Sequence, residues 1–454
     1  MSKKSNILAT IFVVFTLILS VGCGRSGQLL GDLPVPDENK DIPKDETPTT
    51  TTVGNNQFTC NPDQSPGENN IVSVDGCTIA SPTLDGAKTA FFKGDFVEAN
   101  CQASLVFNES VKVDPNKPEN HAAFIAFSSR LFLLVESDDG AYFLLDDEHK
   151  YKATEIFGPN GDLEKFSQSI SEKYEATIKD MQPPPEDPNN LYVFAKTHLD
   201  RGRSIDQIVD RVAGLFNRVG PDLHTLAKSM AHDAHLGIAL DFPNNEMDSE
   251  EFLFNSSTAA LIDMYLTGAQ ATTTLATHYH SGIKTADVFI NDTVAVKELN
   301  ADPKTLSLRG SADASEVIPM VSAALSATLH AAIQVHSPDF WAQDFNFFLP
   351  SPKSIGNAEA NSNVTDIQAE SFKWVSILLE LQSSLGNKLV AITATEGAVT
   401  VNLQQFLKNL PNANDLGFPI FILDENGGME LNGDAMQAYY NKEKAKYPYI
   451  EIKE

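Results

Sequence analysis

Leu84-Asp85-Gly86-Ala87-Lys88-Thr89-Ala90-Phe91-Phe92-Lys93-Gly94-Asp95-Phe96-Val97-Glu98-Ala99 opens the stretch, running on to Ser137, that decides the fold. Ala87, Ala90, Phe91 and Phe92 precede a Gly94-Asp95 turn, and Ala99, Leu105, Val106 and Phe107 follow it at helical spacing. Glycine makes the tight turn at no steric cost. Asp114-Pro115-Asn116 stops the second helix, because proline cannot continue the backbone ladder. A third helical pattern covers His121 to Leu134. A helix pair of this kind cannot bury its own apolar face, so further helices must stack on it.

Gly94, Asp95, Phe96 and Ala99 resemble the inter-helix turn of the tetratricopeptide repeat, and Phe107 and Pro115 resemble the end of its second helix. Thr83 stands where the repeat carries its first-helix Trp, and the second helix is longer by about one turn. The resemblance implies a mainly α fold: a tetratricopeptide-like helical hairpin array or bundle, with a small C-terminal β element added by the last part of the chain. Lys3, Lys4, the apolar run Ile7 to Leu19 and Ser20-Val21-Gly22-Cys23 read as a lipid-anchor signal, and residues 23–57 as a tether. The layout of anchor, tether, one such repeat and long apolar helices is similar to uncharacterised lipoproteins of Gram-negative bacteria.

Outward toward the N-terminus, Lys3 and Lys4 precede an apolar run from Ile7 to Leu19 and the small residues before Cys23. That is the order of an export signal. Ser20-Val21-Gly22-Cys23 resembles the bacterial lipobox, in which the cysteine is lipidated and becomes the mature N-terminus. Residues 1–22 are then a signal peptide and Cys23 the lipidation site. Gly24 in place of Asp implies outer-membrane rather than inner-membrane placement in a Gram-negative cell envelope. Residues 23–57 carry Pro34, Pro36, Pro43, Pro48 and the run Thr49–Thr52, a composition that cannot bury a core and reads as a disordered tether. The formal net charge is −28 over 454 residues, and removal of Lys3 and Lys4 makes it more negative. Such a balance argues against nucleic acid or an anionic lipid surface as partner. The bilayer is reached through the lipid on Cys23.

Residues 58–182 form the N-terminal segment with the helical repeat. Cys60 and Cys77 flank a Pro, Asn and Gly-rich loop and are the favoured disulfide, with Cys101 left as a buried thiol in a helix. Prolines from Gln182 to Asn190 mark a linker. Residues 190–385 read as an apolar helical bundle. Ile205, Ile208, Val209, Val212, Leu215 and Phe216 recur at helical spacing, and Asp222 is expected to cap a further helix running to about Leu240. Thr258–Tyr279 and Val317–Val335 are apolar on most faces and read as central helices. Between the second of these and the helix Phe372–Leu385 lie Phe340, Trp341, Phe345, Phe347 and Phe348, rings that either seal the core or form a partner or ligand contact. Residues 386–454 form a small α+β segment: a hairpin across Thr395-Glu396-Gly397, a strand over Pro419–Leu423 and a helix over Gly433–Lys446.

Catalytic chemistry finds no pattern. His232 and His235 lie one turn apart, but the sequence is His-Asp-Ala-His where a catalytic zinc helix has His-Glu-x-x-His. Asp424, Asn426 and Gly428 imitate the start of a calcium loop, yet Met429 and Ala435 occupy the places of its Gly and bidentate Glu. Asp263, inside an apolar helix, is a satisfied polar contact or a functional carboxylate. There is no phosphate-binding glycine loop and no Gly-x-Ser-x-Gly elbow. The sequence therefore reads as a non-enzymatic protein without metal or cofactor. Its first reading is a membrane-anchored scaffold for a protein or peptide partner. The second is a periplasmic small-molecule or lipid binder, with a cavity between the two apolar helices.

Lipidation is testable directly. A fatty-acid analogue fed to cells is expected to label the wild-type chain and not Cys23→Ser; equal labelling of both would refute the assignment.

Overall fold

The computed structural model describes residues 71–144, most of 151–172, 190–240, 252–334, most of 375–386, 390–394, 397–412, 419–432 apart from 426, and 451–453. The stretches read as an export signal (1–22), a tether (23–57) and a proline linker (182–189), together with Cys23, Cys60, the aromatic segment Phe340 to Phe348 and Gly433–Lys446, lie outside the described residues.

The chain is mainly helical. Helix α1 (Leu84–Lys93) begins at Thr83, whose hydroxyl accepts the Gly86 N–H, and ends at Gly94 with φ of 78°. Asp95 then caps α2 (Phe96–Val113) by accepting the Glu98 N–H. One left-handed residue therefore reverses the chain, and the next starts the following helix. Asp114 closes α2, and Glu119 caps α3 (Asn120–Leu133). Phe91, Phe96, Phe132 and Phe157 form a chain of rings with centroids 4.3–5.6 Å apart, fastening the turn end of α1 and α2 to α3 and to α5 (Ala153–Phe157). Between α3 and α5 stands the short α4 (Asp138–Phe143), which Ser137 caps.

Helix α6 (Asn190–Asp200) leads to α7 (Ile205–Ala231), the longest described element. Ser204 and Gln207 start α7 with a reciprocal capping box. The expected break at Asp222 does not occur, because α7 runs straight through Pro221. Proline inside a helix costs about 3 kcal/mol. Here α7 is held on one side by α3 and on another by α8 (Ser256–Ala276), and Leu215, Phe216, Leu223, Leu226 and Met230 are buried between neighbours. Burying side chains of this size stabilises by about 1.5–3 kcal/mol each, so packing outweighs the proline. The chain past His232 is not helix either: β1 (Gly237–Leu240) pairs antiparallel with β2 (Phe252–Asn255), and Asn255 caps α8.

Helix α9 (Asp292–Ala301) follows α8, and α10 (Ile318–Gln334) packs along α8. Of the two apolar helices, α8 is enclosed as expected. Helix α10 differs: its buried residues among those described are Ser322, Ala327 and Ala331, and Ile333 is exposed. The helical stretch Ser315–Gln334 is long and apolar enough to cross a membrane by length and composition. One hydrophobic core runs from Val72 through α1, α2, α3, α7 and α8 to Ala331, so it continues across the proline linker.

Toward the C-terminus, the hairpin of β3 (Val390–Ala394) and β4 (Gly397–Val401) is joined at its β4 edge by β7 (Glu451–Lys453). Leu407 of helix α11 (Leu403–Lys408) and Leu410 just after it share a small core with Ala314, Val317 and Leu385. Strands β5 (Phe421–Leu423) and β6 (Met429–Leu431) form a second hairpin, whose turn is closed by Gly428 N–H donating to Asp424 Oδ1.

Gly94 makes this local arrangement falsifiable. A Cβ there would lie 2.9 Å from Gly158 Cα, at a backbone φ that L side chains avoid. Gly94→Val is expected to destabilise by about 2 kcal/mol. An unchanged melting temperature would show the turn to be misplaced.

Candidate functional site

A short extended strap, residues 71–74, lies against α2, α3 and α7 ahead of the first helix. Its side chains alternate, with Ile71 and Ser73 exposed and Val72 buried as part of the main core. Side chains from three helices satisfy the backbone of two consecutive strap residues. Asn108 on α2 accepts the Val72 N–H at 3.0 Å and donates its amide to the Val72 carbonyl at 2.8 Å. Asp222 on α7 accepts the Ser73 N–H through both carboxylate oxygens, at 3.1 and 3.2 Å. Arg130 on α3 donates to the Ser73 carbonyl at 2.6 Å and to Asp222 at 2.7 Å, and its other contact is Ser104 on α2 at 3.3 Å. The Ser73 peptide groups, Asp222 and Arg130 thus form a closed circuit. Burial lowers the Arg130 guanidinium from its ordinary value, while the Asp222 charge and hydrogen bond act the other way. A partly desolvated pair of this kind holds only while both partners stay.

After the strap, a turn at Asp75-Gly76 delivers Cys77 to Cys101, and the two form a disulfide with their Cα atoms 5.5 Å apart. The expected pairing of Cys60 with Cys77 is thereby corrected. Cys101, Ser104 and Asn108 recur at helical spacing along one face of α2, and the strap lies on that face. Sequence separation in the Cys60–Cys77 loop carried no information about which helix face the chain returns to. Closing a loop of 24 residues restricts the unfolded chain by about 3 kcal/mol in the chain-entropy description.

The sequence did not single out Asn108, Arg130 and Asp222. One signal was present: Arg130 is the sole charged residue in the apolar run Ala122 to Leu134. Asp222 was read as a helix cap, and its true partners lie 149 and 92 residues away along the chain.

The histidines and Asp263 fasten helices to one another. His224 Nδ1 lies 2.5 Å from Asp263 Oδ1 across the α7–α8 contact, where Asn217 also accepts from Gln270 and Thr274. His278 meets Glu316, and His280 meets Asp206. His232, at the end of α7, meets His330 of α10 with centroids 4.2 Å apart and the rings tilted by 58°; burial, then His232 and Lys228, pull His330 down to about 4. His235 lies beyond the helix and is exposed. His198, fully buried among Tyr142, Phe143 and Phe194, is held down to about 3 by burial and then by Arg203 and Arg201. Among the described residues, no group of three or more His, Cys, Asp or Glu could hold a metal ion. Cys23, Cys60, Phe340, Trp341, Phe345, Phe347 and Phe348 fall outside the described residues.

No protein-family model, curated protein or solved structure matches this chain.

The circuit around Ser73 predicts coupled energetics. Arg130→Met strands the Asp222 carboxylate and is expected to cost about 3 kcal/mol. Arg130→Met with Asp222→Leu should cost less than the sum of the single changes, since neither charge is then left alone. Denaturant unfolding measures both; strict additivity would show that the circuit is not a unit.

Proposed function

We propose that this protein is a membrane-anchored envelope scaffold whose helices bind extended polypeptide, with α1 and α2 as a tetratricopeptide-like hairpin. One observation carries the reading: side chains of α2, α3 and α7 already hold an extended strand by its backbone. Asn108, Arg130 and Asp222 contact the N–H and carbonyl groups of Val72 and Ser73, which every residue except proline presents. Specificity then resides in the one buried side chain, Val72, which belongs to the main core. Backbone hydrogen bonds supplying affinity and alternate side chains supplying selectivity is the logic of strand recognition. The tether and the lipid on Cys23 hold this surface at the bilayer, outer-membrane placement following from Gly24. No catalytic step is assigned.

The alternative, a small-molecule or lipid binder, required a cavity between the two apolar helices. Helix α10 instead packs directly along α8, which favours the scaffold.

The groove reading is tested by displacing the strap. Ser73→Pro removes the N–H that Asp222 accepts and restricts the residue before it. Full-length Ser73→Pro protein, recovered from membranes, is expected to capture extended polypeptide, and the added change Asn108→Leu to abolish capture. Mass spectrometry covering peptides and lipids decides the case. Enrichment of a lipid or small molecule, insensitive to Asn108, would favour the alternative.

A further inference from the structure

We infer that the Cys77–Cys101 disulfide is a thiol-operated latch, which keeps the groove filled by the chain's own strap and yields it to an extended peptide when reduced. The inference rests on the peptide-binding reading above and adds its control. The latch is placed where it would act. Cys77 follows the strap by one turn, and Cys101 lies on the α2 face that carries Ser104 and Asn108. While the bond is closed, the strap is tied at one end to the helix that recognises it, and a competing strand must displace a covalently held one. With the bond open, what holds the strap among the described residues is the set of hydrogen bonds from Asn108, Arg130 and Asp222 to its backbone, the burial of Val72 and the chain running on to α1.

Access to the two sulfurs is unequal. Cys77 is half-buried and Cys101 is buried. A dithiol reductant therefore attacks Cys77 Sγ, forming a mixed disulfide and expelling Cys101 as a thiolate, which takes a proton. The reductant's second thiolate then displaces Cys77. The products are two protein thiols and one oxidised reductant, a two-electron exchange. The partner admitted is an extended segment carrying a medium-sized apolar residue at the place of Val72, with small or polar residues on either side. Because the groove contacts are made to the backbone, the requirement falls on that single side chain.

The chain supplies its own probe, a fluorescein-labelled peptide Asn-Ile-Val-Ser-Val-Asp, the sequence of residues 70–75. Its binding to full-length protein in detergent is read by fluorescence anisotropy, with and without dithiothreitol. Hydrogen exchange at the Val72 and Ser73 amides is followed in the same samples. Reduction of the wild type, and Cys77→Ser with Cys101→Ser without reductant, are each expected to tighten probe binding by about tenfold or more and to speed exchange at both amides, since the tethered competitor loses effective concentration. A cooperative thermal transition in each sample confirms that the fold persists. Probe binding by Ser73→Pro but not by the reduced or serine-substituted proteins would overturn the latch and leave the groove reading standing. No binding by any of them, Ser73→Pro included, would overturn both.

Discussion

Two-sided burial of α7 is the constraint on which the remaining structure depends. A helix that presents one apolar stripe can close a hairpin; one that buries residues toward two neighbours joins separate hairpins into a single core. Helix α7 meets α3 through one face and α8 through another, with Leu223, Leu226 and Met230 fully enclosed. That packing keeps the helix intact across Pro221 and carries Asp222 past the point where a cap would have ended it. Asp222 is consequently free to face α3 and the strap. The site is thus a product of a helix that did not stop.

Polar groups in this molecule are used chiefly to fix where one element meets another. Asn300 on α9 accepts the N–H groups of Ile420 and Phe421 and donates to the Phe421 carbonyl, so the β5–β6 hairpin is held as the strap is held by Asn108. The two clamps differ in what surrounds them. At Asn300 the held strand is paired with a second strand and belongs to a hairpin. At Asn108 the held segment pairs with no strand among the described residues; a charged circuit completes its bonds and a disulfide fastens its end. Backbone groups that a sheet would normally satisfy are satisfied there by side chains, which is the condition under which one strand can replace another.

The acidic balance of the chain gives the circuit a particular setting. Only seven arginines occur in 454 residues, and four of them fall within positions 201–218. Arg211 and Arg218 both reach Asp139, and Arg203 lies over Tyr142, so these guanidinium groups join α7 and the approach to it to α4. Arg130 is the one in the α3 apolar run, and its partners are a single carboxylate, a peptide carbonyl and the Ser104 hydroxyl. A cation in that position orients a strand by its backbone dipoles as well as by contact.

Local rules in the sequence determined the helical class, the Gly94-Asp95 reversal, the stop at Asp114-Pro115, the start of α7 near Ile205 and the pairing of β3 with β4. Each depends on interactions within a few residues: a left-handed glycine, a missing N–H, apolar spacing, a two-stranded alternation. Tertiary structure alone decided that Pro221 would be overridden, that Cys77 would choose Cys101, and that Asn108, Arg130 and Asp222 would converge on two peptide units. Those outcomes join residues between 24 and 149 positions apart. Periodicity within a single helix says which face is apolar. It cannot say which neighbour that face will meet, and hence cannot say which polar side chains will be brought together at its edge.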